Sequence, residues 1–463
     1  MKASGADSPA PGAELVRRDA ELLWHPATHF RDLQLLPPLP IQSAQGAYLQ
    51  TCSGERILDA ISSWWTCLHG HGHPRIVAAI ADQAARLDHV MFAGFTHAPA
   101  LELAEALVER APGGPASYGR VFYADCGSAA IEVALKMSFQ YRQQSGERQR
   151  QGLATLTNSY HGETLGALAV SGNRAYREQF GPLLFPVVEL PVPSYLGHEH
   201  GDLVRDLGAD APETAQAIAL LEQHRDRLTA LLVEPVIQCA GRMVMPGVGF
   251  YRALTAAAQR LGIHVIADEI AVGFGRTGRL FASDWADPAV APDFLCLSKG
   301  LSGGVLPLSA VLVRRGVDEA FKGDPARSFL HSHTFTANPI TCRAGLASLS
   351  LFDDEHPPEH LASLARRLDE LSRQVAVAVP QVVARRQAGL VVALEVRPDV
   401  GWQSRMGEGR LSLELRSAAL ERGVLLRPLH DTVYWMPPYC VTSDDLDRLA
   451  EVTRQSIVAV LGR

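Results

Sequence analysis

From Pro74 to about Ser348, short apolar runs alternate with stretches of helical periodicity, the texture of an α/β layer fold. One unit shows it plainly. Thr229–Val233 predicts a strand, Tyr251–Leu261 a helix, Gly262 a helix stop, and Ile263–Ala267 the next strand. Phe294–Leu297 and Leu308–Val313 predict further buried strands, and Val121–Tyr123 and Ala154–Leu156 read as two more. A second helical pattern, with Ile131, Ala134, Leu135 and Ser138, opens behind Gly127-Ser128. After about Ser350 the texture changes. Helical segments Leu361–Val375 and Leu411–Arg422 alternate with short strands Leu390–Glu395 and Val433–Met436, and Thr442-Ser443-Asp444-Asp445 introduces a last helix. That predicts a smaller α+β lobe. The first dozen residues, rich in Ser, Pro, Gly and Ala, predict disorder. The polar, Gly/Pro-punctuated segment Pro191–Thr214 predicts an excursion over the surface.

Composition narrows the class. At 463 residues the chain exceeds what one hydrophobic core serves, which points to two packed lobes. Hydrophobic residues at 47% and charged residues at 20% fit a globular protein with a large core. A net charge of −7 without a basic cluster argues against nucleic acid as partner; Arg142–Arg150 is a mixed Glu/Gln/Arg stretch. No apolar run reaches the roughly 18 residues a membrane span needs. The 7 cysteines are odd in number, scattered and free of CxxC pairs, so neither a disulfide framework nor a zinc ribbon is expected. Buried free thiols and an opening segment without an apolar signal core lead to the expectation of a reducing cytoplasm.

The candidate chemistry gathers where strands end. Asp268 closes one buried apolar run and Lys299 follows another, at the strand ends where α/β sheets bind ligands. A lysine in apolar surroundings can act as a nucleophile toward an aldehyde, and the carboxylate could hold a pyridine nitrogen protonated. A plain salt bridge between the two is the other reading, and spacing alone leaves both open. Asp125-Cys126-Gly127-Ser128 stands between a strand and a helix, where glycine permits close approach and free amides attract an anion; an ordinary N-cap by Ser128 is the alternative. Thr334 is another candidate hydroxyl donor to phosphate, and Tyr160 could stack on a flat cofactor or fill core. Two patterns mislead. Gly273–Gly278 fits GxGxxG but lacks the strand-to-helix setting and the downstream acid of a dinucleotide site. His69, His71 and His73 alternate without a thiol or carboxylate partner, so no metal is expected.

Taken in order and spacing, Asp268-Glu269-Ile270, Gly273–Gly278 and Ser298-Lys299-Gly300 resemble the signature of the class III aminotransferases of pyridoxal-phosphate fold type I. The resemblance runs from Trp24 to the last helix. Trp24-His25-Pro26, Ser62-Ser63-Trp64-Trp65, Tyr160-His161-Gly162-Glu163-Thr164, His331-Ser332-His333-Thr334, Arg427-Pro428-Leu429 and Met436-Pro437-Pro438-Tyr439 resemble the branch that makes 7,8-diaminononanoate in biotin synthesis. The family's fold implies a large domain over 74–348 and a small α+β domain over 349–463, to which the N-terminal segment 1–73 contributes.

The resemblance also implies roles. Lys299 would carry pyridoxal 5′-phosphate as a Schiff base, Asp268 would pair with the pyridine nitrogen, and Tyr160 would lie by the ring. Gly127, Ser128 and His333 would help hold the cofactor, with Thr334 of a partner subunit in a homodimer completing the phosphate site. Trp64, Tyr160, Lys299 and Ser332 would line the substrate site, and Arg427 would pair with the carboxylate of 8-amino-7-oxononanoate. Arg276 would sit near the site. S-adenosylmethionine is the implied donor, with lysine, or another ω-amino acid or diamine as substrate, as the alternatives. Ala27 stands where the branch often carries tyrosine or cysteine, and Gln238–Arg242 departs from a more glycine-rich version.

Overall fold

The computed structural model describes residues 12–193, 208–286 and 291–462. The expected N-terminal disorder, Gly12 apart, and the centre of the Pro191–Thr214 excursion lie outside the described residues.

Seven strands form the central sheet: β1 Tyr118–Ala124, β2 Gly152–Leu156, β3 Val188–Leu190, β4 Leu228–Val233, β5 His264–Asp268, β6 Phe294–Leu297 and β7 Ser309–Arg314. Their order across the sheet is β1-β7-β6-β5-β4-β2-β3. β6, β5, β4, β2 and β3 pair in parallel, whereas β7 runs against both β6 and β1. Composition explains the burial. β4 and β5 are buried at every position, as strands covered on both faces must be, and the charge in β5 waits until its last residue, Asp268. The reversal of β7 follows from its connection. Leu297 to Ser309 holds only a short 3-10 turn and no crossover helix, so a parallel return is out of reach.

The predicted elements are present with shifted ends. The 251–261 helix begins at Val248, directly after Gly247 at φ 95, and the 263–267 strand runs one residue further to take in Asp268. The helix behind Gly127-Ser128 is α1, Gly127–Gln144. In the second part of the chain, strands Val382–Ala388, Val391–Val396 and Thr432–Trp435 make an antiparallel sheet beside helices Pro358–Ala378 and Ser443–Leu461. The last helix opens with a reciprocal cap, in which Asp445 N–H donates to Thr442 Oγ1 at 3.2 Å and Thr442 N–H to the Asp445 carboxylate at 2.9 Å. Near the other end of the chain, Ile41–Gln45, Tyr48–Thr51 and Arg56–Asp59 form a meander whose last strand pairs in parallel with Val424–Leu425. Strands from the two ends of the chain thus share one sheet. Among the described residues no helix is long and apolar enough to cross a membrane.

Candidate active site

The carboxyl ends of β1, β2, β4, β5 and β6 open onto one cavity of ≈ 710 Å³. Each end delivers chemistry: Cys126–Ser128 after β1, Tyr160–Glu163 beyond β2, Glu234 after β4, Asp268 closing β5, and Lys299 after β6. Parallel strands necessarily present such residues together, because their C-terminal loops share one rim.

Lys299 sits in left-handed backbone at φ 46, a conformation that costs a non-glycine residue about 1 kcal/mol or more and persists only where its surroundings fix it. Its Nζ lies 4.4 Å from the centroid of the Trp65 ring. Burial lowers the pKa of the amine, against the opposing influence of the neighbouring Cys239, Asp268 and Glu234. Asp268 accepts from Ile270 N–H at 3.0 Å and pairs through its other oxygen with His161 Nδ1 at 2.8 Å. Glu234 accepts from the amides of Tyr160 and Cys239 at 3.0 and 3.1 Å, and burial pushes its carboxyl up to about 7.

At the start of α1 no side chain caps the helix, which leaves its first amides to the cavity. A Cβ on Gly127 would meet Ile270 Cγ2 at 2.9 Å, so only glycine brings the backbone this close. Ser128 Oγ accepts from Glu163 N–H at 3.2 Å. The Tyr160 hydroxyl donates to Glu163 at 3.0 Å, its ring stands 5.1 Å from that of Tyr176, and burial and Glu163 together raise its pKa.

Ser62-Ser63-Trp64-Trp65 is the least expected feature. All four residues have positive φ, at 49, 45, 72 and 75, so an L-amino-acid segment makes a left-handed turn. The turn sends neighbouring indoles different ways. Trp65, 4% exposed, lies under Lys299 and donates to Tyr434 OH at 3.1 Å, whereas Trp64, 38% exposed, lies against Arg427 with 4.2 Å between guanidinium and ring centroid. Arg276, expected near the site, is fully buried and does not line the cavity. It braces the turn from behind, donating to Ser62 Oγ at 2.8 Å and to the Pro437 carbonyl at 2.6 Å. The GxGxxG segment is therefore a tight turn that carries this brace, with Gly275 and Gly278 both at φ 89.

The chain thus brings Lys299, Asp268, Tyr160, Gly127, Ser128, Trp64 and Arg427 to one cavity. It does not bring Ser332, His333 or Thr334 there. Ser332 and Thr334 are exposed, and His333 bonds Asp125 at 2.7 Å. The alternating histidines face three different partners: His69 bonds Ser348 at 2.9 Å, His71 Asp59 at 2.9 Å and His73 Glu355 at 3.1 Å.

Sequence reasoning missed His161 as the partner of Asp268, and also Glu234, Tyr176 and Arg416. Glu234 was within reach, since it follows an apolar strand just as Lys299 does. His161 and Arg416 carry no such local signal.

Residues 31–457 match the family model for class-III aminotransferases. The adenosylmethionine-8-amino-7-oxononanoate aminotransferase of Synechococcus elongatus is 40% identical over 434 residues, 92% of this chain and 95% of its own length. The crystal structure of the enzyme of that name from Methanocaldococcus jannaschii superposes with a TM-score of 0.88 at 29% identity, covering 96% of this chain and 99% of the other. An omega transaminase of Pseudomonas jessenii in complex with PMP gives a TM-score of 0.86 at 25% identity, over 97% and 99% of the two chains.

Proposed function

The chain belongs to the class III aminotransferase family, and on that premise we propose that it transfers an amino group to 8-amino-7-oxononanoate, giving 7,8-diaminononanoate, with pyridoxal 5′-phosphate as cofactor and S-adenosylmethionine as donor. The observation that carries this reading is the pairing, in one cavity, of a half-buried Lys299 beside Asp268 with an Arg427 that has no carboxylate partner among the described residues. The relatives that bear the biotin-pathway name span almost the whole chain, which supports the substrate.

The residues fit the cofactor. A half-buried amine, a carboxylate fixed by two hydrogen bonds, an uncapped helix start at a glycine whose Cβ would crowd Ile270, and an aromatic neighbour are the donors and surfaces it needs. Lys299, Asp268, Gly127 and Ser128, and Tyr160 would hold it by its aldehyde, ring nitrogen, phosphate and ring face. When bound, the cofactor supplies a carbonyl group and an electron-withdrawing ring. The remaining work falls to the chain. Lys299, its amine made easier to deprotonate by burial, carries the proton to and from the substrate carbon. Trp64 and Trp65 wall off water along a methylene chain, and the planar Arg427 fork receives the carboxylate.

In the same reading the exposed Ser332 and Thr334, with His333, serve the site of a second copy, so that the working unit is a homodimer, and the enzyme acts in the cytoplasm. The division at 73/74 and 348/349 into a large domain and a small one built from both chain ends belongs to the same proposal. The test is to add 7,8-diaminononanoate to the cofactor-loaded protein and follow the visible absorbance. Conversion of the cofactor to its amine form is expected. No change, with a different amine reacting instead, would overturn the acceptor assignment.

A further inference from the structure

Arg416, on the helix α2 Leu411–Leu420, lines the same cavity as Arg427. Its Nε is shut off from solvent and has no hydrogen-bond partner. Burial, and next the charge of Arg427, lower its pKa, so the fold sets two like charges close together. No carboxylate of the cavity answers them. Asp32 pairs with Arg410 at 2.9 Å, Glu163 accepts from Tyr160 OH at 3.0 Å, Asp268 pairs with His161 at 2.8 Å, and Glu234 accepts from two backbone amides. A half-buried guanidinium without a counter-charge is unfavourable, and a second one beside it more so. The cavity is therefore short of an anion where these two arginines face it.

We infer that Arg416 is a specificity-determining residue that joins Arg427 in gripping the terminal carboxylate of the long-chain acceptor, so that two guanidiniums read it. The inference rests on the proposed acceptor. Position favours the acceptor's carboxylate over that of an α-amino-acid donor. A donor of that kind carries its carboxylate on the reacting carbon, which must lie at Lys299, and Lys299 stands against Trp65 whereas Arg427 stands against Trp64. In 8-amino-7-oxononanoate the carboxylate stands a whole methylene chain away from the reacting carbonyl. Arg427 against Trp64 and Lys299 against Trp65 mark the two ends of such a molecule.

The probe is nonanoate, which has the chain and the carboxylate but nothing to transaminate, titrated into the cofactor-loaded protein by tryptophan fluorescence. Its neutral methyl ester is the control. Arg416→Gln should weaken nonanoate by about 10- to 100-fold, the range of a charge-assisted hydrogen bond, and weaken the ester far less. Arg416→Lys should recover part of the loss. In kinetics, the KM for 7,8-diaminononanoate should rise by a similar factor, and kcat should change several times less. An unchanged preference for acid over ester in Arg416→Gln would overturn the inference even if the enzyme transaminates 7,8-diaminononanoate normally. A wild-type enzyme that binds nonanoate through Arg416 yet ignores 7,8-diaminononanoate would instead overturn the acceptor and leave a two-arginine carboxylate site standing.

Discussion

The two sides of the cavity solve the same electrostatic problem differently. On the lysine side, each charge has its answer within the chain: Asp268 has His161 and the Ile270 amide, Glu234 has two amides, and Lys299 has the Asp268 and Glu234 carboxyl groups. On the arginine side, Arg416 and Arg427 face the cavity together, and the nearest compensation for Arg427 is the face of the Trp64 indole. A side that is complete before anything binds suits a resident cofactor. A side that lacks its counter-charge suits a ligand that comes and goes, because the ligand brings the missing charge and leaves with it. The left-handed turn Ser62–Trp65 divides the two, one indole to each.

The comparison breaks most severely at Lys299. Lys299→Ala removes the nucleophile and the proton carrier together, and turnover should fall by about a thousandfold or more. Borohydride reduction with pyridoxal phosphate should fix the cofactor to the peptide that contains Lys299 in the wild type and not in the variant. Labelling at another lysine would assign the lysine side to the wrong residue.

Arg276 comes next, since it holds the divider. Arg276→Met leaves Ser62 and the Pro437 carbonyl without their charged donor, a loss of about 2–4 kcal/mol. Thermal unfolding should show that loss, and tryptophan fluorescence should report movement of both indoles. A variant with wild-type stability and turnover would show that the turn stands without its brace.

How much of this could be read beforehand depended on where the signal lies. Strands β4 to β6 are largely apolar runs with Glu234, Asp268 and Lys299 at or just beyond their ends, so their existence and their shared rim followed from pattern alone. The phosphate-like cradle followed from a glycine and a serine between strand and helix. The left-handed turn left no trace, because nothing in Ser-Ser-Trp-Trp calls for positive φ; Arg276, Met436 and Pro437, distant in sequence, impose it. The antiparallel course of β7 needed the length of its connection to be weighed. Arg416 looked like any surface arginine on a helix, and only the packing of α2 against the cavity separates it from the others. The shared motifs named the lysine side and Arg427, whereas Arg416 had to be seen in three dimensions.

Arg427 sharpens the comparison from the other direction. Arg427→Ala should raise the KM for 8-amino-7-oxononanoate by about 10- to 100-fold. The donor half-reaction, measured by single turnover, should lose several times less. An equal or greater loss in the donor half-reaction would mean that the arginine side serves both substrates.

The smallest effect lies beneath the lysine side. His264 begins the strand that Asp268 ends, and its ring is buried against Tyr141 and Phe294, with Ser138 Oγ at 2.9 Å from Nδ1. Burial first, then the charges of Arg142, Arg150 and Arg314, push its pKa from 6.5 to about 3. The folded state therefore refuses a proton that the unfolded chain accepts. Stability from this source is fully present above pH 6.5 and drains away as the pH falls toward 3, by about 1–2 kcal/mol at pH 5. His69 and His356, whose pKa values burial also lowers, add to the same slope, so His264→Gln should flatten the fall in Tm between pH 7 and 5 without abolishing it. Arginine side chains stay charged throughout that range, which gives the experiment its contrast. Acid should loosen the strand under Asp268, and cofactor retention with it, while nonanoate, about half ionised at pH 5 and with its affinity counted on the ionised fraction, keeps its hold on the arginines. If nonanoate affinity and cofactor retention decline together in the wild type and in His264→Gln alike, the two sides are one cooperative unit and the division drawn at the tryptophan turn is wrong.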